Sequence, residues 1–154
     1  MTNLLMVCMG NVCRSPMAKA VACKFAQDAG LAQQLMFDSA GTHADRIGER
    51  LDPRAELALS RRGYAPAPAR SRKIGLSDFE LFDLILAMDA LNLADLRRIC
   101  PPRHAHKLQL FLECADDLAE SEIPDPYYGS AQGFERVLDL CEAGAKGLLK
   151  RYTM

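Results

Sequence analysis

No stretch of this chain stays apolar for the roughly 20 residues that crossing a bilayer demands. Neither sign of charge is in excess: 19 Lys and Arg stand against 20 Asp and Glu, a formal net of −1. A surface for nucleic acid or an anionic membrane is therefore not expected. The first residues, MTNLLMVCMGN, lack the positive flank and long apolar core of a secretory signal. The expectation is a cytoplasmic chain with reduced thiols. A metal framework is missing too. The six cysteines, Cys8, Cys13, Cys23, Cys100, Cys114 and Cys141, are scattered, and none forms a C-x-x-C pair. Most are expected to be buried and inert. The H-x-H of His104 and His106 reads as an exposed loop, not a metal site. The nucleotide loop G-x-x-x-x-G-K-[ST] is absent, as are repeats and low-complexity tracts. What remains is one domain over residues 1–154, long enough for a substantial core.

Apolar runs alternate with helical patterns along that length. Leu4–Val7 reads as a short buried strand. Ser15 is a candidate cap for a helix that has Pro16 in its first turn and Gly30 as its stop. A second strand is expected over Leu35–Gly41, and a helix from Asp52 to Gly63. A proline-broken loop leads to a short helix at Ser77–Phe82 and a third strand at Leu84–Met88. Asp89–Cys100 is again helical, Lys107–Leu112 is the fourth strand candidate, and Ser130–Tyr152 is a long terminal helix. The strands are continuous apolar runs, the pattern of a parallel sheet covered by helices on both faces. Met6, Met9 and Met36 are read as core or cleft filler, and Arg97, Arg98, Arg103 and Lys107 as a solvated basic face.

The chemistry concentrates in VCMGNVCRS, Val7–Ser15. Cys8 ends the first strand, and ligands of such sheets bind beyond the carboxyl ends of strands. Arg14 stands at a helix start, where free N–H groups and the helix dipole favour an anion. Gly10 and Asn11 tolerate positive φ, so the loop can curl into a nest of N–H groups. Arg14 adds a planar fork for two phosphate oxygens. The same positive field favours Cys8 as a thiolate nucleophile. Attack on phosphorus also needs a proton donor for the leaving oxygen. Asp125, between two prolines in IPDPYYG, is the candidate, with the adjacent tyrosines as an aromatic wall.

These segments, with FDSAGT, DPRA, RSRKI, DLILAMD and LFLE between them, make the chain resemble a low-molecular-weight protein-tyrosine phosphatase over nearly its full length. The resemblance implies a single α/β domain: a four-stranded parallel sheet, helices on both faces, and a phosphate loop after the first strand. It implies hydrolysis of phosphotyrosine in protein substrates, a tyrosine kinase among them, through a cysteinyl-phosphate and without a metal or organic cofactor. Cys8 would be the nucleophile, Arg14 the phosphoryl clamp and Asp125 the general acid and then base. The loop residues Met9, Gly10, Asn11, Val12 and Cys13 would cradle the phosphate. Asn11, aided by Ser39, would hold the loop's curve. Ser15 would ease departure of the thiolate, Cys13 could form a reversible disulfide with Cys8, and one of Tyr127 and Tyr128 would line the cleft.

Two positions depart from the family pattern. The segment His43–Arg46 carries no aromatic wall, and Ala69 stands where a histidine commonly supports the loop asparagine. Three other readings remain. A thioredoxin-coupled arsenate reductase would need two more cysteines close together, whereas Cys100 and Cys114 are far apart in sequence. Protein-arginine phosphatases tend to carry threonine where this chain has the apolar Val12. A phosphate-ester binding module would not require Cys8, Arg14 and Asp125 together.

Overall fold

The structure, a computed structural model, describes residues 1–43, 47–66 and 70–153. Four strands, β1 (Thr2–Cys8), β2 (Leu35–Gly41), β3 (Leu84–Ala87) and β4 (Leu108–Leu110), form one sheet in the order β2-β1-β3-β4. Every pairing is parallel. Among the described residues five α-helices connect and cover it: α1 (Arg14–Asp28), α2 (Pro53–Arg61), α3 (Leu76–Leu81), α4 (Ala90–Ile99) and α5 (Ala131–Lys150). Among the described residues no helix is long and apolar enough to cross a membrane.

The continuous apolar run of β1 has a direct cause. Side chains alternate across a strand, and both faces of this one are covered. Leu4, Met6 and Cys8 join the core beneath α1, α2 and α5, with Met17, Leu59 and Leu138. Leu5 and Val7 join the other, beneath α3 and α4, with Phe79, Leu93 and Leu96. A polar residue at any of these strand positions would be buried without water.

The chain leaves β1 for β2 on one side, then returns for β3 on the other. The carboxyl ends of β1 and β3 therefore border the crevice where strand order reverses. Two helix starts at this end are capped by carboxylates. Asp52 accepts the N–H of Arg54 at 2.8 Å, and Asp89 accepts that of Asn92 at 2.7 Å. α5 comes close to the segment after β4. A Cβ on Gly147 would lie 1.9 Å from the Cys114 carbonyl oxygen, and one on Gly144 would lie 2.6 Å from the Phe111 ring.

Several expectations change. Ser15 is not the cap of α1. It lies inside the helix, whose N-cap is Cys13, and its hydroxyl turns to Cys8 instead. The positive φ of the loop falls on Asn11 (φ 58°) and not on Gly10. The fourth strand covers only three residues, because Phe111–Cys114 forms a 3-10 turn that buries Phe111 and Leu112. His104 and His106 lie on another 3-10 turn, Pro102–Lys107, rather than in an irregular loop. The basic face nearby is solvated as expected, with Arg97, Arg98 and Arg103 exposed; Arg98 pairs with Asp95, Arg103 with Glu80, and Lys107 donates to the Phe79 carbonyl. Met36 is neither core nor cleft filler; it is exposed on the edge strand β2.

Candidate active site

The loop between β1 and α1 is shaped by where its carbonyls go. Those of Cys8, Met9 and Val12 accept N–H groups from Thr42, His43 and Asp52 at 2.9, 3.0 and 2.9 Å. With these carbonyls turned outward, the loop N–H groups are left to the concave side, the arrangement that accepts a tetrahedral anion. β2 must come close for this to happen. A Cβ at Gly41 would sit 2.6 Å from the Met9 oxygen, so glycine is required there.

Asn11 holds the turn. Its left-handed backbone suits a short polar side chain, and that side chain is buried with its amide satisfied. Nδ2 donates to Ser39 Oγ and to Ser15 Oγ, each at 2.9 Å, and Oδ1 accepts the N–H of Arg72 at 3.0 Å. Loop support thus comes from Ser39 and from the Arg72 backbone. The Ala69 position lies outside the described residues. Arg72 is itself fixed, its guanidinium paired with Asp38 at 3.1 Å and Asp78 at 3.0 Å.

Cys8 is 3% exposed at the floor of the cradle. Its Sγ stands 3.0 Å from Ser15 Oγ and receives the Asn11 N–H at 3.3 Å. Both groups can donate to a charged sulfur. Arg14 is equally buried, and its Nη1 donates to Asp89 Oδ2 at 2.5 Å and to the Ile123 carbonyl at 2.9 Å. Burial works against its charge. The nearby Cys8, the Asp89 hydrogen bond and the charges of Asp89 and Asp125 outweigh that, so the guanidinium is held above its ordinary range. Sequence reasoning did not assign Asp89 a part. A signal was there: a carboxylate two residues beyond β3, the neighbour of β1, at the carboxyl end of the sheet.

Asp125 reaches the same place from the loop before α5. Its Oδ2 lies 3.8 Å from Arg14 Nη2, and its Oδ1 accepts the N–H of Tyr127 at 3.0 Å. Between these groups opens a cleft of about 230 Å³, lined by Cys8, Met9, Gly10, Val12, Cys13, Arg14, His43, Asp125, Tyr127 and Tyr128. That is below the ~300–1,000 Å³ of drug-sized sites and fits one phosphorylated side chain. Tyr127 and Tyr128 stand edge to face, ring centroids 4.9 Å apart. Both line the cleft, where only one was expected to. Tyr127 is half-buried and Tyr128 is 90% exposed. On the side lacking the usual aromatic, His43 lines the mouth, its Nδ1 2.8 Å from Thr42 Oγ1. Asp45 and Arg46 lie outside the described residues.

Cys13 shares the cleft with Cys8. Burial, reinforced by the Asp52 carboxylate, pushes its thiol far up. All six cysteines are free thiols. Cys100 packs on the α3–α4 face of the sheet and Cys114 on the α1–α5 face. The pair that an arsenate reductase would need is therefore split by the sheet.

The family model of the low molecular weight phosphotyrosine protein phosphatases matches residues 3–153. A low molecular weight protein-tyrosine-phosphatase of Streptomyces coelicolor is 44% identical over 146 residues, 93% of this chain and 88% of that one. The human low molecular weight phosphotyrosine protein phosphatase is 36% identical over 150 residues, 97% of this chain and 94% of its own. A crystal structure of the protein tyrosine phosphatase of Entamoeba histolytica, with Hepes in its active site, superimposes with a TM-score of 0.95 at 38% identity, covering 99% of this chain and 97% of that one. Matched from its first strand to the end of its last helix, the chain belongs to the low molecular weight phosphotyrosine protein phosphatases.

Proposed function

We propose that the protein hydrolyses phosphotyrosine in protein substrates by way of a cysteinyl-phosphate. One observation carries the reading: a buried thiol, a buried guanidinium and a carboxylate converge on a single small cleft, with Arg14 Nη2 3.8 Å from Asp125 Oδ2. The phosphoryl group sits in the loop N–H groups and against the free edge of Arg14. Cys8 Sγ attacks phosphorus in line as the P–O bond to the phenol breaks. Asp125, entering protonated, gives its proton to the departing phenolate oxygen. A water then attacks the phosphorus, Asp125 takes its proton, and the S–P bond breaks to release inorganic phosphate. The Ser15 hydroxyl, 3.0 Å from the sulfur, donates to the departing thiolate. Charge on the equatorial oxygens is met throughout by Arg14 and the loop N–H groups, which need no reorganisation.

The apolar Val12 and the two tyrosines favour an aryl phosphate over a guanidino phosphate. A phosphorylated tyrosine kinase or one of its targets is a fitting substrate. A thiol nucleophile among six free cysteines suits the reducing cytoplasm.

The test is turnover of phosphotyrosine, phosphoserine and phosphoarginine peptides by wild type and Cys8→Ser. Wild type should prefer phosphotyrosine. Cys8→Ser should lose turnover, because a hydroxyl is a poor nucleophile at neutral pH, yet still bind phosphate esters through the unchanged cradle. Substantial residual turnover would remove Cys8 from the nucleophile role, and preference for phosphoarginine would overturn the substrate class.

A further inference from the structure

Pro124 and Pro126 flank Asp125 and have no N–H to donate. Neither proline can donate to hold this loop; the Pro126 carbonyl accepts the Gly129 N–H at 2.9 Å, and the ties to more distant parts of the molecule come from Ile123 and Tyr127. Ile123 supplies one side: its N–H donates to the Met88 carbonyl at 2.8 Å and its carbonyl accepts from Arg14. On the other side stands Tyr127, whose N–H donates to Asp125 itself and whose carbonyl accepts Arg54 Nη2 at 2.8 Å.

Arg54 comes from the first turn of α2 and does not line the cleft. Its fork is committed elsewhere. Nε and Nη2 grip the two oxygens of Asp52 at 3.1 and 2.9 Å. The guanidinium carbon lies 5.4 Å from the Tyr127 ring centroid and 4.8 Å from that of Phe134. Asp52 in turn donates its own N–H to the Val12 carbonyl of the phosphate loop at 2.9 Å. A continuous path of bonds thus runs from Val12 through Asp52, Arg54 and Tyr127 to Asp125. A lone surface ion pair contributes little, but a bidentate, ring-stacked arginine that also bonds a loop carbonyl fixes geometry.

We propose that Arg54 is a positioning residue for the general acid: it fastens the Tyr127 carbonyl to the phosphate loop and so sets Asp125 at its reach over Cys8. The proposal rests on Asp125 being the acid, and the experiment separates the two. Single-turnover phosphorylation of Cys8 is followed with phenyl phosphate and p-nitrophenyl phosphate. The proteins are wild type, Arg54→Ala, Arg54→Lys, Asp125→Asn and the double variant Asp125→Asn/Arg54→Ala. Phenolate needs a proton as it leaves, whereas p-nitrophenolate departs readily without one. Arg54→Ala should slow the phenyl phosphate reaction by about tenfold or more and the p-nitrophenyl phosphate reaction far less. Inhibition by inorganic phosphate should not change, since the cradle is intact. Arg54→Lys keeps the charge but loses the fork, and should stay near the alanine variant. In the Asp125→Asn background, Arg54→Ala should add no further dependence on the leaving group. Equal slowing of both substrates, or weakened phosphate inhibition, overturns the positioning role. Should Arg54→Ala not fold, wild-type phenyl phosphate rates in Arg54→Lys overturn it equally. If Asp125→Asn itself shows no leaving-group dependence, the acid assignment falls and takes this proposal with it. If Asp125→Asn shows that dependence and the Arg54 variants do not, only the positioning role fails.

Discussion

Arg14 is the residue for which charge and shape are most easily confused. Its Nη1 is spent on Asp89 and the Ile123 carbonyl, so orientation is fixed before substrate arrives. Arg14→Lys would keep a positive charge but could not both satisfy Asp89 and present a planar edge to two phosphoryl oxygens. Its kcat/KM for phosphotyrosine peptide should fall at least a hundredfold, on the order expected for removing a transition-state donor. A loss of only a few-fold would show that Arg14 is not the clamp. Cys13 raises a separate question. Its buried thiol, pushed up beside Asp52, presents little thiolate at neutral pH. Peroxide would oxidise Cys8 to a sulfenic acid. Attack by Cys13 would then release water and form a disulfide that dithiothreitol reduces. Peroxide-treated wild type should regain activity with dithiothreitol and Cys13→Ser should regain less, because its sulfenic acid is exposed to further oxidation. Equal recovery would exclude a protective pair.

Among the elements, α5 is held against the 3-10 turn after β4 by its small residues. The carbonyl of Cys114 occupies the place a Cβ on Gly147 would take, at 1.9 Å, whereas a Cβ on Gly133 would meet Pro126 at an ordinary 3.5 Å. The same substitution in one helix should then have opposite signs. Gly147→Ala must push the helix off the 3-10 turn, costing about 1–3 kcal/mol or more, a fall in Tm of several degrees. Gly133→Ala gains helix propensity and should be neutral or stabilising by up to about 1 kcal/mol. Thermal melts of both decide it; equal Tm values would show that α5 has room to shift. Element existence was readable from apolar runs and caps. β4 was read too long because LFL is as apolar as a strand, although its burial is achieved by a 3-10 turn.

At the scale of the whole molecule, Asp52 joins three parts: it caps α2, grips Arg54 and donates its N–H to the phosphate loop. The hydrogen bond from Arg54 holds its carboxyl below the ordinary range despite some burial. The unfolded state therefore binds this proton more readily, and stability rises with pH across the interval between the two values. The contribution is fully present above the unfolded value near 3.8 and is lost as pH falls through the lower folded one. Asp52→Asn should lower Tm at pH 6 and flatten its decline below pH 4. Parallel Tm–pH curves for variant and wild type would show that the pair adds no acid-sensitive stability.

Cys8 and Arg14 were legible in the sequence because the loop that carries them is local: strand, curl and helix start fall within a dozen residues. Ser15, read by position as a helix cap, owed its place beside the thiol to the family pattern alone. The doubly covered parallel sheet was legible for a similar reason, since continuous apolar strands between amphipathic helices have few other ways to exclude water. Asp125 was nameable from its proline-framed loop and from the family pattern. Nothing local brings it to Cys8: the sheet places β3 beside β1, and the loop after β4 returns to the end of β3, where the Ile123 N–H donates to the Met88 carbonyl. Asp89 on Arg14, the Arg72 backbone on Asn11, and Arg54 between Asp52 and Tyr127 were decided only by the tertiary structure. They join residues 75, 61 and 73 positions apart. A hydrogen bond over such a separation leaves no period and no spacing in a sequence, because the sheet and not the chain supplies the proximity.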